Sequence, residues 1–232
     1  MCFQRPRGGA AAFRIDHIMD VQSVGFVLPH WFYWGWLAVM PLIFITWANR
    51  KRVLPVVSYD PDAGAVERAL DWISDRSGVF VSLWSVNAVL AYTYEVTARY
   101  IFNMPTIWVH ESSFLLFGMQ YMLSGAYGLL YGSHVRVDVI YTKLKPQTQA
   151  AIDVFTSVFF FIFVVAMCAT SWRFFFESVA MDERSVETWQ IQYWPVKGAM
   201  LLGALLILLA GVSRLIKDIR RFETALAQEN HA

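Results

Sequence analysis

Val154-Phe-Thr-Ser-Val-Phe-Phe-Phe-Ile-Phe-Val-Val-Ala-Met-Cys-Ala-Thr-Ser-Trp172 is the stretch whose reading decides the fold. It holds no charged side chain, and its only polar members are small. As a helix it reaches about 28 Å, close to the hydrocarbon thickness of a bilayer. Working outward, four more stretches have the same character: Val24–Ala48, Ser77–Phe102, Ser112–Ser133 and Trp194–Leu215. The third of these carries no charge; Ser77–Phe102 carries Glu95 and Arg99. The expected fold is all-α, a multi-pass transmembrane helical bundle of four core helices plus an extra N-terminal helix. Val24–Ala48 is too long and aromatic for a cleaved leader, and Arg50-Lys51-Arg52 follows it where a small-residue cleavage site would stand. It also contains Pro29, His30 and Pro41.

Composition agrees. Hydrophobic residues make up 57% of the 232 and charged residues only 16%, against about 25% charged in soluble domains. Trp, Tyr and Phe are abundant, as befits rings at headgroup depth. The net charge of +1 offers no basic field for nucleic acid, so none is expected as a partner. The two cysteines, Cys2 in the tail and Cys168 in an apolar run, make neither a disulfide framework nor a thiolate metal site.

Basic residues fall unevenly along the chain. Arg50, Lys51, Arg52, Arg68 and Arg76 lie in the linker, Arg136, Lys143 and Lys145 after the third segment, and Arg214, Lys217, Arg220 and Arg221 at the end. The positive-inside rule places linker 49–76, loop 134–149 and the C-terminus in the cytoplasm. Arg5, Arg7 and Arg14 oppose the rule if the first segment spans. Two stretches carry the pattern of short interfacial amphipathic helices in contact with membrane lipids. In Ala65–Arg76 the apolar face is Val66, Ala69, Leu70 and Ile73; in His134–Pro146 it is Val137, Ile140, Tyr141 and Leu144.

Several chemistries are excluded. No glycine precedes a lysine, so no Walker A loop exists. His110-Glu111-Ser112-Ser113-Phe114 lacks the second histidine of a zinc protease helix, and no GxSxG elbow occurs. His110 and His134 are about 36 Å apart along a helix, and His30 has no histidine at matching depth, so haem is not expected. Neither a cofactor nor an enzyme activity is anticipated.

Ionisable residues at membrane depth are therefore the candidates. Glu95 and Arg99 share a helix face near its outer end, and Glu111 opens the next segment beyond the turn Asn103-Met104-Pro105-Thr106. Arg99 can pair with either carboxylate, clamping a hairpin. Ser124, Gly128 and Gly132, and Ala199 with Gly203, form small-xxx-small faces suited to close packing within the chain or against a partner. No pair of broken helices carries polar groups to the midplane, as a transporter's substrate site would require.

The run from Glu95 through Arg99, Pro105 and Trp108 to Glu111 resembles the first hairpin of the small membrane subunit of tripartite ATP-independent periplasmic (TRAP) transporters, the DctQ-like family. His134-Val-Arg136-Val-Asp138 resembles that family's inner-loop motif. Glu183-Arg-Ser185 to Trp189, then Tyr193-Trp-Pro-Val-Lys197, resembles the stretch before its last helix. The resemblance covers about residues 68–219. It implies a four-helix small-permease domain over 65–221, preceded by an extension over 1–64 and followed by a tail over 222–232. It implies a bacterial inner-membrane scaffold for a large membrane subunit that carries the substrate and sodium sites and moves elevator-fashion. A periplasmic substrate-binding protein would deliver an organic acid, and a sodium gradient would drive uptake. The alternative reading is a non-transporting anchor subunit of another inner-membrane complex.

Overall fold

A computed structural model describes residues 26–51, 63–133, 141, 144 and 146–230. Within them lie helices α1 (His30–Lys51), α2 (Ala65–Ser82), α3 (Trp84–Tyr100), α4 (Val109–Leu130), α5 (Pro146–Ala180) and α6 (Trp194–Asn230). The described residues contain no strand, only an isolated bridge between Arg184 and Gln192. Only Leu83 separates α2 from α3, and the two run as one helical stretch from Ala65 to Tyr100.

Four stretches are long and apolar enough to cross a membrane: His30–Lys51, Ala65–Tyr100, Thr148–Ala180 and Trp194–Thr224. α4 matches α1 in length, at 22 residues. It is not among these four: Gln120, Ser124 and two tyrosines interrupt its apolar run. The reason is its position, because α4 packs against α2, α3 and α6 and so needs less lipid-compatible surface. α5 lies along α6 and turns Phe155, Phe159, Ile162, Phe163 and Val165 outward. An apolar exterior of that extent suits hydrocarbon as solvent and not water. The chain is a multi-pass membrane protein.

The expected separate interfacial helix over Ala65–Arg76 is corrected by the structure. These residues are the first turns of the long α2–α3 stretch, and the face turned inward is the charged one. Glu67 is 1% exposed and Asp75 2%, whereas Val66 is 65% exposed and Trp72 53%. In a bilayer the apolar face has a good solvent outside, while charges need partners inside. The second expected interfacial helix, His134–Pro146, falls almost wholly outside the described residues.

α1 is held by its own irregularities. Phe32 and Tyr33 donate backbone N–H groups to the Pro29 carbonyl (3.1 Å each), which starts the helix. Pro41 has no N–H and leaves the Leu37 carbonyl without its helical donor. The indole of Trp84 fills that place, donating to Leu37 O at 2.8 Å. Tyr33, Leu37 and Met40 thereby join Trp84, Trp108, Leu116 and Trp189 in one buried cluster. Residues 26–30, 101–108 and 181–193 meet at one end of the bundle, here called the hairpin end. The first turns of α2, the end of α4 and residues 213–221 of α6 meet at the other, the tail end.

Candidate functional site

At the hairpin end, Glu95 is the centre of the clamp. Arg99 Nε donates to Glu95 Oε1 at 2.8 Å, and Arg99 Nη2 pairs with the same oxygen. The other oxygen, Oε2, accepts the backbone N–H of Thr106 at 3.0 Å and the Thr106 hydroxyl. One carboxylate therefore fixes both the end of α3 and the turn leading to α4. Asn103 makes that turn with φ 53°, a left-handed conformation that Asn tolerates. Of the two carboxylates within sequence reach of Arg99, the structure selects Glu95. Glu111 is separate: it is buried at 6% exposure, and neither carboxylate oxygen has a hydrogen-bond partner among the described residues.

The segment between α5 and α6 caps this end. Ser185 N–H donates to Ile191 O (2.8 Å) and Tyr193 N–H to Glu183 O (2.9 Å), closing a narrow loop. Ser185 Oγ accepts the Glu187 N–H at 3.0 Å. Glu183 pairs with Lys197 on the first turn of α6. The Lys197 ammonium holds the Glu183 carboxyl below its ordinary range. Trp189 is buried at the loop's tip and donates Nε1–H to Leu28 O (3.0 Å); His30 Nε2 donates to Trp189 O (2.9 Å). Trp108 donates to Phe26 O (2.8 Å) and lies 6.3 Å from the Trp189 ring. The residues singled out as Glu95, Arg99 and Trp108, and as Glu183, Ser185, Trp189 and Lys197, thus build one end of the molecule. His134, Arg136 and Asp138 lie outside the described residues.

At the tail end stands a charge array that the sequence reading missed. Glu67 and Asp71 lie on α2 at i and i+4; Ser213, Lys217 and Arg220 lie on α6 at i, i+4 and i+7. Lys217 Nζ pairs with Asp71 Oδ2 at 2.7 Å, Ser213 Oγ donates to Asp71 Oδ1 at 2.6 Å, and Arg220 pairs with Glu67. Tyr131 at the end of α4 donates to Asp75 Oδ1 at 2.9 Å. The available signal was two stripes of opposite sign at helical spacing.

The small-residue faces divide by purpose. A Cβ on Gly203 would stand 2.5 Å from the Met122 carbonyl oxygen, so this glycine permits contact of α6 with α4 inside the chain. Gly132 does not pack: a Cβ there meets nothing within 4 Å, but its φ is +66°. It ends α4, with Ser133 N–H bonded to Gly128 O (2.9 Å) and Gly132 N–H to Leu129 O (3.3 Å), the pairing of a Schellman cap. Gly128 serves as the acceptor of that cap.

Between the two ends, two polar pairs join neighbouring helices. Trp36 Nε1 donates to Asn87 Oδ1 at 3.0 Å, and Gln120 Nε2 to Ser85 Oγ at 2.9 Å. These contacts can fix helices relative to one another. The family model described as tripartite ATP-independent periplasmic transporters, DctQ component, matches residues 88–221. No curated protein matches.

Proposed function

The chain belongs to the DctQ component family of tripartite ATP-independent periplasmic transporters, and from that premise we propose that it is the small permease subunit, a fixed scaffold for a large membrane subunit. That subunit carries the substrate and sodium sites, and a periplasmic binding protein supplies it with an organic acid. One observation carries the scaffold reading: among the described residues, the buried carboxylates Glu95, Glu67 and Asp71 are each tied to a cation at an end of the bundle, while buried Glu111 has no hydrogen-bond partner. A substrate pathway needs polar groups able to exchange partners at the midplane, whereas pairs fixed between helices resist motion. Uptake into vesicles under a sodium gradient, with the large subunit and binding protein present, is expected only when this chain is added. Full uptake without it would overturn the scaffold role.

We place the protein in the bacterial inner membrane with the tail end cytoplasmic. The basic residues of α6, and those flanking the α1–α2 linker, support this orientation. Val186, 97% exposed in the cap loop, marks the opposite end. In intact cells a membrane-impermeant thiol reagent should label Val186→Cys and leave Lys143→Cys unlabelled. The reverse result would invert the topology.

A further inference from the structure

The tail end holds an open cleft of about 270 Å³ between the end of α4 and the stretch 210–221 of α6. Its lining includes Arg214, Lys217 and Arg221, with Asp71 and Asp218, so three cations face two carboxylates. Lys217 is engaged by Asp71 at 2.7 Å. Arg214 Nε and Arg221 Nη1 each lie 3.8 Å from Asp218, at ion-pair range but beyond hydrogen-bond reach. Two guanidinium groups therefore share one carboxylate, and among the described residues neither donates a hydrogen bond. Guanidinium forks fit phosphate oxygens two at a time.

A second cavity of about 230 Å³ adjoins the first and shares Leu129, Arg214 and Asp218 with it. It runs between α4, α5 and α6 along Phe160, Gly211 and Leu215, with Asp153, Thr156 and Ser157 of α5 on its wall. The cationic cleft sits where the charge-free run of α6 ends: between Lys197 and Arg214 that helix has no charged residue. A site with a phosphate-binding fork at the membrane boundary and a mainly apolar cavity behind it matches a molecule with both parts. We propose that the cleft binds the phosphate of an anionic phospholipid through Arg214 and Arg221, with an acyl chain in the adjoining cavity. A free phosphate would satisfy the fork but have no use for the cavity. Basic pockets between membrane helices take anionic headgroups in this way.

The test uses the full chain in detergent, titrated with phosphatidylglycerol and followed by native mass spectrometry. Phosphatidylcholine and excess inorganic phosphate provide the other arms. Arg221→Gln is the primary variant, because its exposed side chain makes a folding defect easy to exclude by gel filtration; Arg214→Gln is the second. Each should weaken phosphatidylglycerol retention about tenfold, the worth of one charge-assisted contact, while Arg173→Gln at the hairpin end leaves it unchanged. Retention should exceed that of phosphatidylcholine and survive inorganic phosphate. Equal retention by the wild type and the combined Arg214→Gln and Arg221→Gln variant would overturn the proposal, as would equal retention of phosphatidylcholine. Displacement by inorganic phosphate would reassign the cleft to a soluble anion.

Discussion

A single carboxylate illustrates what spacing can and cannot determine. The sequence puts Glu95 and Glu111 within reach of Arg99, and spacing alone cannot choose between them. The choice falls to Glu95 because its second oxygen also satisfies Thr106, so one buried group meets four donor groups. This separates the expected costs. Arg99→Ala removes a half-exposed partner and should lower stability by about 1 kcal/mol or less. Glu95→Ala strands the Thr106 N–H as well, and should cost about 2 kcal/mol. A charge swap between Arg99 and Glu111 should rescue nothing. Thermal unfolding in detergent would measure all three, and recovery in the swapped pair would show that Glu111 is the true partner. Gly132 teaches a related lesson: the motif GxxxG reads as packing, but only backbone geometry shows that its second glycine is a cap.

At the scale of the element, the apolar runs located helices well and misjudged how far they extend. Val154–Trp172 lies inside α5, Pro146–Ala180, and Trp194–Leu215 inside α6, Trp194–Asn230. Hydropathy sees the part that meets lipid and is blind to turns that continue past it with charged faces. The same blindness inverted Ala65–Arg76: amphipathicity was legible, but which face looks inward depends on whether the solvent is water or hydrocarbon. The inward Glu67 and Asp71 then require the cations of α6. Asp71→Ala should cost about 3 kcal/mol, since Lys217 and Ser213 lose their partner in a mostly buried site. Adding Lys217→Met should recover part of that loss. Trp72→Ala, on the outward face, should change stability little in detergent. A double-mutant cycle that shows Asp71 and Lys217 to be additive would mean that α2 is not clamped to α6.

For the whole molecule, the question is whether α1 belongs to the bundle or is attached to it. The family match begins at residue 88 and omits α1, and the sequence reading set residues 1–64 apart as an extension. The structure's bonds point the other way. The Phe26 and Leu28 carbonyls, just before α1, accept from Trp108 and Trp189, the Leu37 carbonyl accepts from Trp84, and Tyr33 donates to Ser112 O at 2.7 Å. Three indole N–H groups of the matched and adjoining helices are thus satisfied by the α1 segment. Removing it would uncover a buried aromatic cluster and leave those donors without partners in a dry setting, where each lost bond costs about 1–3 kcal/mol. Attachment through side chains also means that the linker is dispensable. Residues 1–51 and 52–232, produced as two separate chains in the same cell, should assemble and purify together as one species. Residues 52–232 alone should aggregate or unfold at a clearly lower temperature. If that fragment proves monodisperse and as stable as the whole, α1 is an appended helix, and its contacts with Trp84, Trp108 and Trp189 contribute nothing that the remaining helices need.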